Sequence, residues 1–289
     1  MLLRDAEQLG HALPPLLVAA LHTASTLTFG AHGRKRAGVG DTFFQYRPYE
    51  QGESAANIDW RASARGERLF VREQEWEAAQ QIYLWADSSP SMHWRSKKDL
   101  PTKSERANLL GLTLASLALR GGELIATLDG HLPPSHDRMA LHRLHDILAH
   151  TTEDSGSTPP LSRVKSRAHI VLFGDFLPQG AETAAWIRHM ANQGVHLILV
   201  EVSDPAEETF PYKGPTLFKG MEGEGDEDIA DPRTLRSQYL KQRSRTRSAL
   251  ADACTRTGGH YLVHLTHEQP QDVLLQLYRL LSHNGGIAA

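Results

Sequence analysis

Asp87-Ser88-Ser89-Pro90-Ser91 follows directly on the apolar run Ile82-Tyr83-Leu84-Trp85-Ala86. Alternate residues of an extended or tightly turned segment project in one direction, so Asp87, Ser89 and Ser91 can converge on one point. A carboxylate and two hydroxyls are hard oxygen donors, suited to Mg²⁺ or Mn²⁺ and ill suited to zinc or copper. A second carboxylate, Asp175, follows Gly174 at the end of another apolar run, Ala168 to Phe173. Two carboxylates balance a divalent ion, and neutral hydroxyls leave it electrophilic towards a further acidic ligand. That chemistry favours capture of a partner's Asp or Glu over hydrolysis. The competing reading is a polar strand-to-helix turn in which Asp and Ser cap backbone groups.

Such a site needs strands that end side by side. From residue 80 onward short apolar runs alternate with helical patterns. Strands are predicted at Ile82–Ala86, Leu124–Leu128, Ala168–Phe173, His196–Val200 and Tyr261–His264. Helices are predicted at Ser104–Arg120, with Ser104 as N-cap and Gly121-Gly122 as the stop, and at Arg138–His150, Ala181–Gln193, Thr234–Thr255 and Gln271–Ser282. Strands apolar throughout and alternating with helices imply an α/β fold, a doubly wound and mostly parallel sheet covered on both faces. In such a sheet ligands sit at the carboxyl ends of strands where the strand order reverses. Asp87 and Asp175 meet there if their strands are neighbours.

Residues 1–79 break that rhythm and read as a small N-terminal α+β element, leaving 80–285 as the larger domain. An N-terminal helical stretch precedes Gly38-Val39-Gly40, the run Thr42 to Tyr46, a turn around Glu50-Gln51-Gly52 and a strand at Leu69-Phe70-Val71. Between Ser203 and Asp231 lies a long Pro/Gly/acidic insertion, of a length that is functional or mobile in compact domains.

Composition narrows the function classes. The 289 residues carry a formal net charge of −3, which disfavours nucleic acid as a partner. One cysteine, Cys254, allows neither an intrachain disulfide nor a thiolate zinc site. The uncharged stretch from Gln8 to Gly33 is interrupted by Pro14, Pro15, three His and several Ser/Thr, so no membrane insertion is expected and a cytoplasmic location is the simplest reading. His142 and His145 share a helix face but lack a third zinc ligand. Interleaved acids dilute the Arg34-Lys35-Arg36 run, and no nucleotide-binding or hydrolase motif stands in the context it requires.

The pattern Asp-x-Ser-x-Ser after a first strand, with a later Asp after a central strand, resembles the metal-ion-dependent adhesion site of von Willebrand factor A domains. A longer set of residues resembles the bacterial domain of unknown function 58 family. It comprises Gly38, Gly40 and Phe43, then Arg47-Pro48-Tyr49, Gly52, Asn57-Ile58-Asp59-Trp60 and Ser63-Ala64-Arg65. Leu69-Phe70-Val71, Ser203 to Glu207, Phe210-Pro211, Gly214 and the Asp231 to Tyr239 run complete it. The resemblance implies a von Willebrand factor A (Rossmann-like) domain, a metal site of Asp87, Ser89, Ser91 and Asp175, and association with a MoxR-type AAA+ ATPase. It also implies a Thr ligand from an intervening loop, for which Thr158 is the candidate and Ser157 the fallback.

The function expected from these readings is a non-catalytic, metal-dependent protein-interaction module. It would act as an adaptor with a MoxR-type ATPase, or on its client, through Mg²⁺ or Mn²⁺. The alternative is a Mg²⁺-dependent phosphoesterase or nuclease using Asp87 and Asp175, for which Asp129 is the only obvious extra carboxylate. Asn57 to Trp60, with Arg47 and Arg65, read as a paired polar cluster that fixes the N-terminal layer.

Overall fold

A computed structural model of the chain describes residues 37–38, 42–49, 58–64, 68–75, 79–137, 139–150, 157–176, 180–220 and 225–283. The N-terminal helical stretch, Gly40, the turn at Glu50 to Gly52, Asn57 and Arg65 lie outside the described residues. The chain divides into two compact units that part between Ala79 and Gln80.

The smaller unit is an antiparallel sheet of β1 (Ala37–Gly38), β3 (Phe70–Glu75) and β2 (Thr42–Pro48), in that order. A register shift between Phe43 and Gln45 bends β2 against β3. Asp59 caps the single-turn helix α1 (Trp60–Ser63), its Oδ1 accepting from Ala62 N at 3.0 Å. Ser63 Oγ donates to Asp59 O at 2.8 Å and accepts from Phe70 N at 2.9 Å, tying the helix to the start of β3. The conspicuous Asp-Trp pair therefore separates into a structural Asp59 and a Trp60 that is 63% exposed.

The larger unit is built on five parallel strands: β4 (Gln81–Ala86), β5 (Leu124–Thr127), β6 (His169–Gly174), β7 (His196–Ser203) and β10 (His260–Leu265). Their order is β10-β7-β6-β4-β5. The chain runs outward from β4 to β5, then crosses back to β6 on the other side of β4. The strand order therefore reverses between β4 and β6, the two strands that carry Asp87 and Asp175 at their ends.

Helices cover both faces. Helix α2 (Lys103–Arg120), α3 (Ala140–His150) and α7 (Pro270–His283) bury Leu110, Leu114, Leu144, Leu274 and Leu277 with Ile82, Leu84, Val171, Phe173 and Val200. On the other face α4 (Gly180–Ala191) and α6 (Arg233–Arg256) bury Trp186, Ile187, Met190, Leu250 and Cys254 with Ile170, Leu172, Leu197 and Leu199. Alternate residues of β6 and β7 go to opposite cores, as a strand covered on both sides requires.

Two expectations are corrected. The N-cap of α2 is Thr102, not Ser104: Thr102 Oγ1 accepts from Glu105 N while Glu105 accepts from Thr102 N, a reciprocal capping box. The stretch between Ser203 and Asp231, read as one long loop, carries elements of its own. It holds the short helix α5 (Pro205–Thr209) and a hairpin of β8 (Thr216–Phe218) and β9 (Glu227–Ile229). Phe210 closes α5 in the left-handed region at φ 44° and packs among Tyr212, Phe218 and Tyr239, with ring centroids 4.8–5.9 Å from it. That aromatic contact holds a backbone conformation that a non-glycine residue otherwise avoids.

Two buried histidines set an acid limit. His169 is 1% exposed and stacks on His196 at 5.0 Å; burial, reinforced by His196, pulls its pKa down to about 3. Burial likewise lowers His264 to about 4, with Arg106 and His267 adding to the shift. Both are depressed bases, so the unfolded chain takes up protons first. The stability they hold is whole above pH 6.5 and falls as pH drops, by about 1.4 kcal/mol per pH unit for each, until the folded values are reached. Denaturant unfolding between pH 7 and 4.5 is expected to show this slope, and His169→Gln is expected to flatten it.

Candidate metal centre

β4 ends at Ala86, and Asp87 N donates to Phe173 O at 2.8 Å, which locks the strand end against β6. Asp87 Oδ1 then accepts from Ser89 N at 2.8 Å, folding the chain back on itself before a 3-10 turn at Pro90–His93. Met92 in that turn is fully buried and anchors it. The result brings Ser89 Oγ within 3.1 Å of Ser91 Oγ, and Ser91 Oγ within 2.8 Å of Asp175 Oδ2.

Donor and acceptor roles follow from chemistry. A carboxylate accepts only, so the Ser91 hydroxyl donates to Asp175; its oxygen accepts from Ser89. Asp87, Ser89 and Asp175 are 2%, 2% and 5% exposed. Gly174 is required beside them: a β-carbon there would stand 2.9 Å from Asp87 Cβ and 3.2 Å from Asp87 Oδ2. Phe176, immediately after Asp175, is buried and left-handed at φ 51°. Backbone strain of this kind is held where the surrounding packing over-determines it.

Thr158 is exposed and donates to Glu182 Oε2, near the start of α4, at 3.5 Å. Ser157 is partly buried beside it, and residues 154–156 of that loop lie outside the described residues. Asp129, the spare carboxylate, is engaged locally through Thr127 Oγ1 at 2.6 Å and His131 N at 2.9 Å.

Sequence reasoning missed Lys103. Its side chain is 2% exposed, and its ammonium donates to Asp175 Oδ2 at 2.9 Å and to Glu207 Oε1 at 2.7 Å. Burial alone would lower its pKa, but Asp175 and Glu207 more than offset that and raise it, so the lysine stays charged. A signal was present: Lys103 precedes Ala107, Leu110, Gly111 and Leu114 on one helical stripe, so its position faces the core.

Glu207 leads to a second missed cluster. Glu201, fully buried on β7, accepts from Arg243 at 2.7 Å, from Arg247 at 2.7 Å and from Tyr261 Oη. Glu208 also pairs with both arginines; burial raises its pKa, but Arg247 and Arg243 prevail and bring it to about 2. Arg243 lies 4.0 Å from Glu207, so one ion-paired network runs from Asp175 to Arg247. It contains four carboxylates and three cations. Asp87 beside it brings the surplus to two negative charges.

The spacing of the two hydroxyls is close to what an octahedral cation would require. Mg²⁺ binds oxygen at 2.0–2.1 Å in an octahedron, whose adjacent vertices are about 2.9 Å apart. Ser89 Oγ and Ser91 Oγ stand 3.1 Å apart. Among the described residues no group of three or more His, Cys, Asp or Glu is arranged to hold a metal, so a cation here would depend on the hydroxyls.

The sequence matches the family described as protein of unknown function DUF58 over residues 45–249. The chain belongs to this family. No curated protein matches it. Among solved structures it is similar to a conserved hypothetical protein BatB from Bacteroides thetaiotaomicron, with 13% identity and a TM-score of 0.43 over 71% of this chain and 98% of that one. An aerotolerance-related membrane protein from Bacteroides fragilis gives 13% identity and 0.43, over 70% and 98%. An uncharacterized membrane spanning protein from Vibrio fischeri gives 12% and 0.21, over 68% and 96%. Among the described residues no helix is long and apolar enough to cross a membrane.

Proposed function

We propose that this DUF58 member is a non-catalytic protein-interaction module of von Willebrand factor A type, which captures an acidic residue of its partner through a divalent cation. The observation that carries the reading is the continuous contact from Asp87 through Ser89 and Ser91 to Asp175, at the carboxyl ends of adjacent parallel strands. In this arrangement Ser89 and Ser91 would offer their oxygen lone pairs to a bound cation. Asp175 orients the Ser91 hydroxyl from behind, and Asp87 supplies the second negative charge. Held by neutral hydroxyls, a divalent cation would remain electrophilic towards a carboxylate from outside.

Hydrolysis is disfavoured by the same geometry. Hydrolytic metal sites gather several carboxylates and position a water. Here Asp175 is already shared by Ser91 and Lys103, and Asp129 is bonded within its own turn.

A MoxR-type AAA+ ATPase, or its client, is the partner this reading takes, in the cytoplasm. The ATPase is expected to be retained by the immobilised protein in Mg²⁺ and released by a chelator. Asp87→Ala is expected to abolish retention without lowering the melting temperature in chelator by more than a few degrees. Equal retention by wild type and Asp87→Ala would overturn the cation-bridging reading.

A further inference from the structure

We propose that Lys103 is a positioning residue that relays the charge at the Asp87–Asp175 site to the segment from Asp204 to Phe210, so that cation loading alters the surface beside the site. The proposal rests on the cation reading above for its physiological trigger, but the relay stands on contacts of its own.

Those contacts form a closed ring. Asp175 accepts from Ser91, and five residues later Ser96 N donates to Asp204 Oδ2 at 2.9 Å. Asp204 is the fully buried N-cap of α5, and its backbone N–H donates to Glu207 Oε2 at 3.0 Å, the returning half of a capping box. Glu207 Oε1 accepts from Lys103, which returns to Asp175. One carboxylate thus closes the helix cap with one oxygen and holds the buried ammonium with the other.

The ammonium is divided between two anions, and the division depends on their charge. A cation beside Asp87 and Asp175 draws on the charge of Asp175 and weakens its hold on Lys103. The lysine, 2% exposed and unable to reach solvent, then bears more fully on Glu207. Because Glu207 also caps α5, a stronger pull is felt at Ala206 N, which donates to Asp204 Oδ1, and at Phe210 N, which donates to Ala206 O. Phe210 is the hub of the aromatic group with Tyr212, Phe218 and Tyr239, so the effect extends to the β8–β9 hairpin, where Leu217 is 54% exposed.

Hydrogen exchange of the peptide spanning residues 204–210 tests this on the full chain. Lys103→Met and Glu207→Gln are each expected to speed its exchange at least tenfold. Asp175→Asn is expected to slow it at least threefold, leaving the ammonium to Glu207 alone, and saturating Mg²⁺ is expected to act on wild type in the same direction. Lys241→Met, on the exposed side of α6, is expected to leave it unchanged. If Asp175→Asn leaves exchange at the wild-type rate, Lys103 is only a local partner of Glu207 and the relay is overturned. If Asp175→Asn slows exchange and Mg²⁺ does not, the relay holds and the cation reading falls. Should Lys103→Met fail to fold, Asp175→Asn and Glu207→Gln decide between these outcomes.

Discussion

Glu201→Leu is expected to lower the unfolding free energy by about 3 kcal/mol, the lower end of the cost of breaking a buried ion pair. Glu201 is fully buried, and Arg243, at 7% exposure, and Arg247 both end on it. Tyr261 donates to the same carboxylate, whose removal takes an acceptor from three side chains on β10 and α6 at once. Glu208 remains to both arginines, which limits the loss. Glu201→Gln, which keeps an acceptor, is expected to cost less than half as much. The midpoint of denaturant unfolding at pH 7 reports both, and a loss under 1 kcal/mol for Glu201→Leu would show the network to be dispensable.

Lys103→Met carries the second large effect, and its sign depends on the cation. Without metal the variant leaves two carboxylates facing a buried apolar side chain, with a destabilisation of about 3 kcal/mol. Asp175 is then relieved of a competing positive charge. Mg²⁺ is expected to bind about tenfold or more tightly than to wild type, since like charges near a buried site repel strongly. Magnesium should therefore restore part of the lost stability by mass action, visible as a melting temperature that rises with Mg²⁺ more steeply than in wild type. A variant as unstable with Mg²⁺ as without it would mean that Lys103 stands in no relation to a cation.

The parts of the site legible in the sequence share one property: they sit at the ends of apolar runs. The runs Ile82–Ala86 and Ala168–Phe173 mark buried parallel strands, and the polar residues after them fall at the carboxyl edge whatever the details of the turns. The alternation of strands and helices gave the parallel five-stranded core, with element ends displaced by a few residues. What it did not disclose was the pairing of charges. Lys103, Arg243 and Arg247 sit in helices where a long basic side chain is ordinarily solvated. Their register with Ala107 and Leu110, and with Leu250 and Cys254, places them on core-facing stripes. Glu201, flanked by the apolar residues Leu197 to Val200 and Val202 of its strand, is the matching acid. Reading a charged residue by its position on the buried stripe, rather than by its type, finds both clusters.

The insertion was misread for a related reason. Its Pro, Gly and acidic content describes a loop, and its order comes from three local devices that composition hides. Asp204 and Glu207 close a capping box around α5, Phe210 turns the chain in the left-handed region, and the β8–β9 hairpin folds the remainder back. Each depends on one or two residues, so none leaves a periodic trace.

Calorimetric titration of Mg²⁺ into the metal-stripped protein, with Asp87→Ala in parallel, decides whether the Asp87–Asp175 site binds a cation. A single saturable binding event is expected in wild type and none in the variant. Identical heats in the two proteins, or none in either, would contradict the cation-bridging reading.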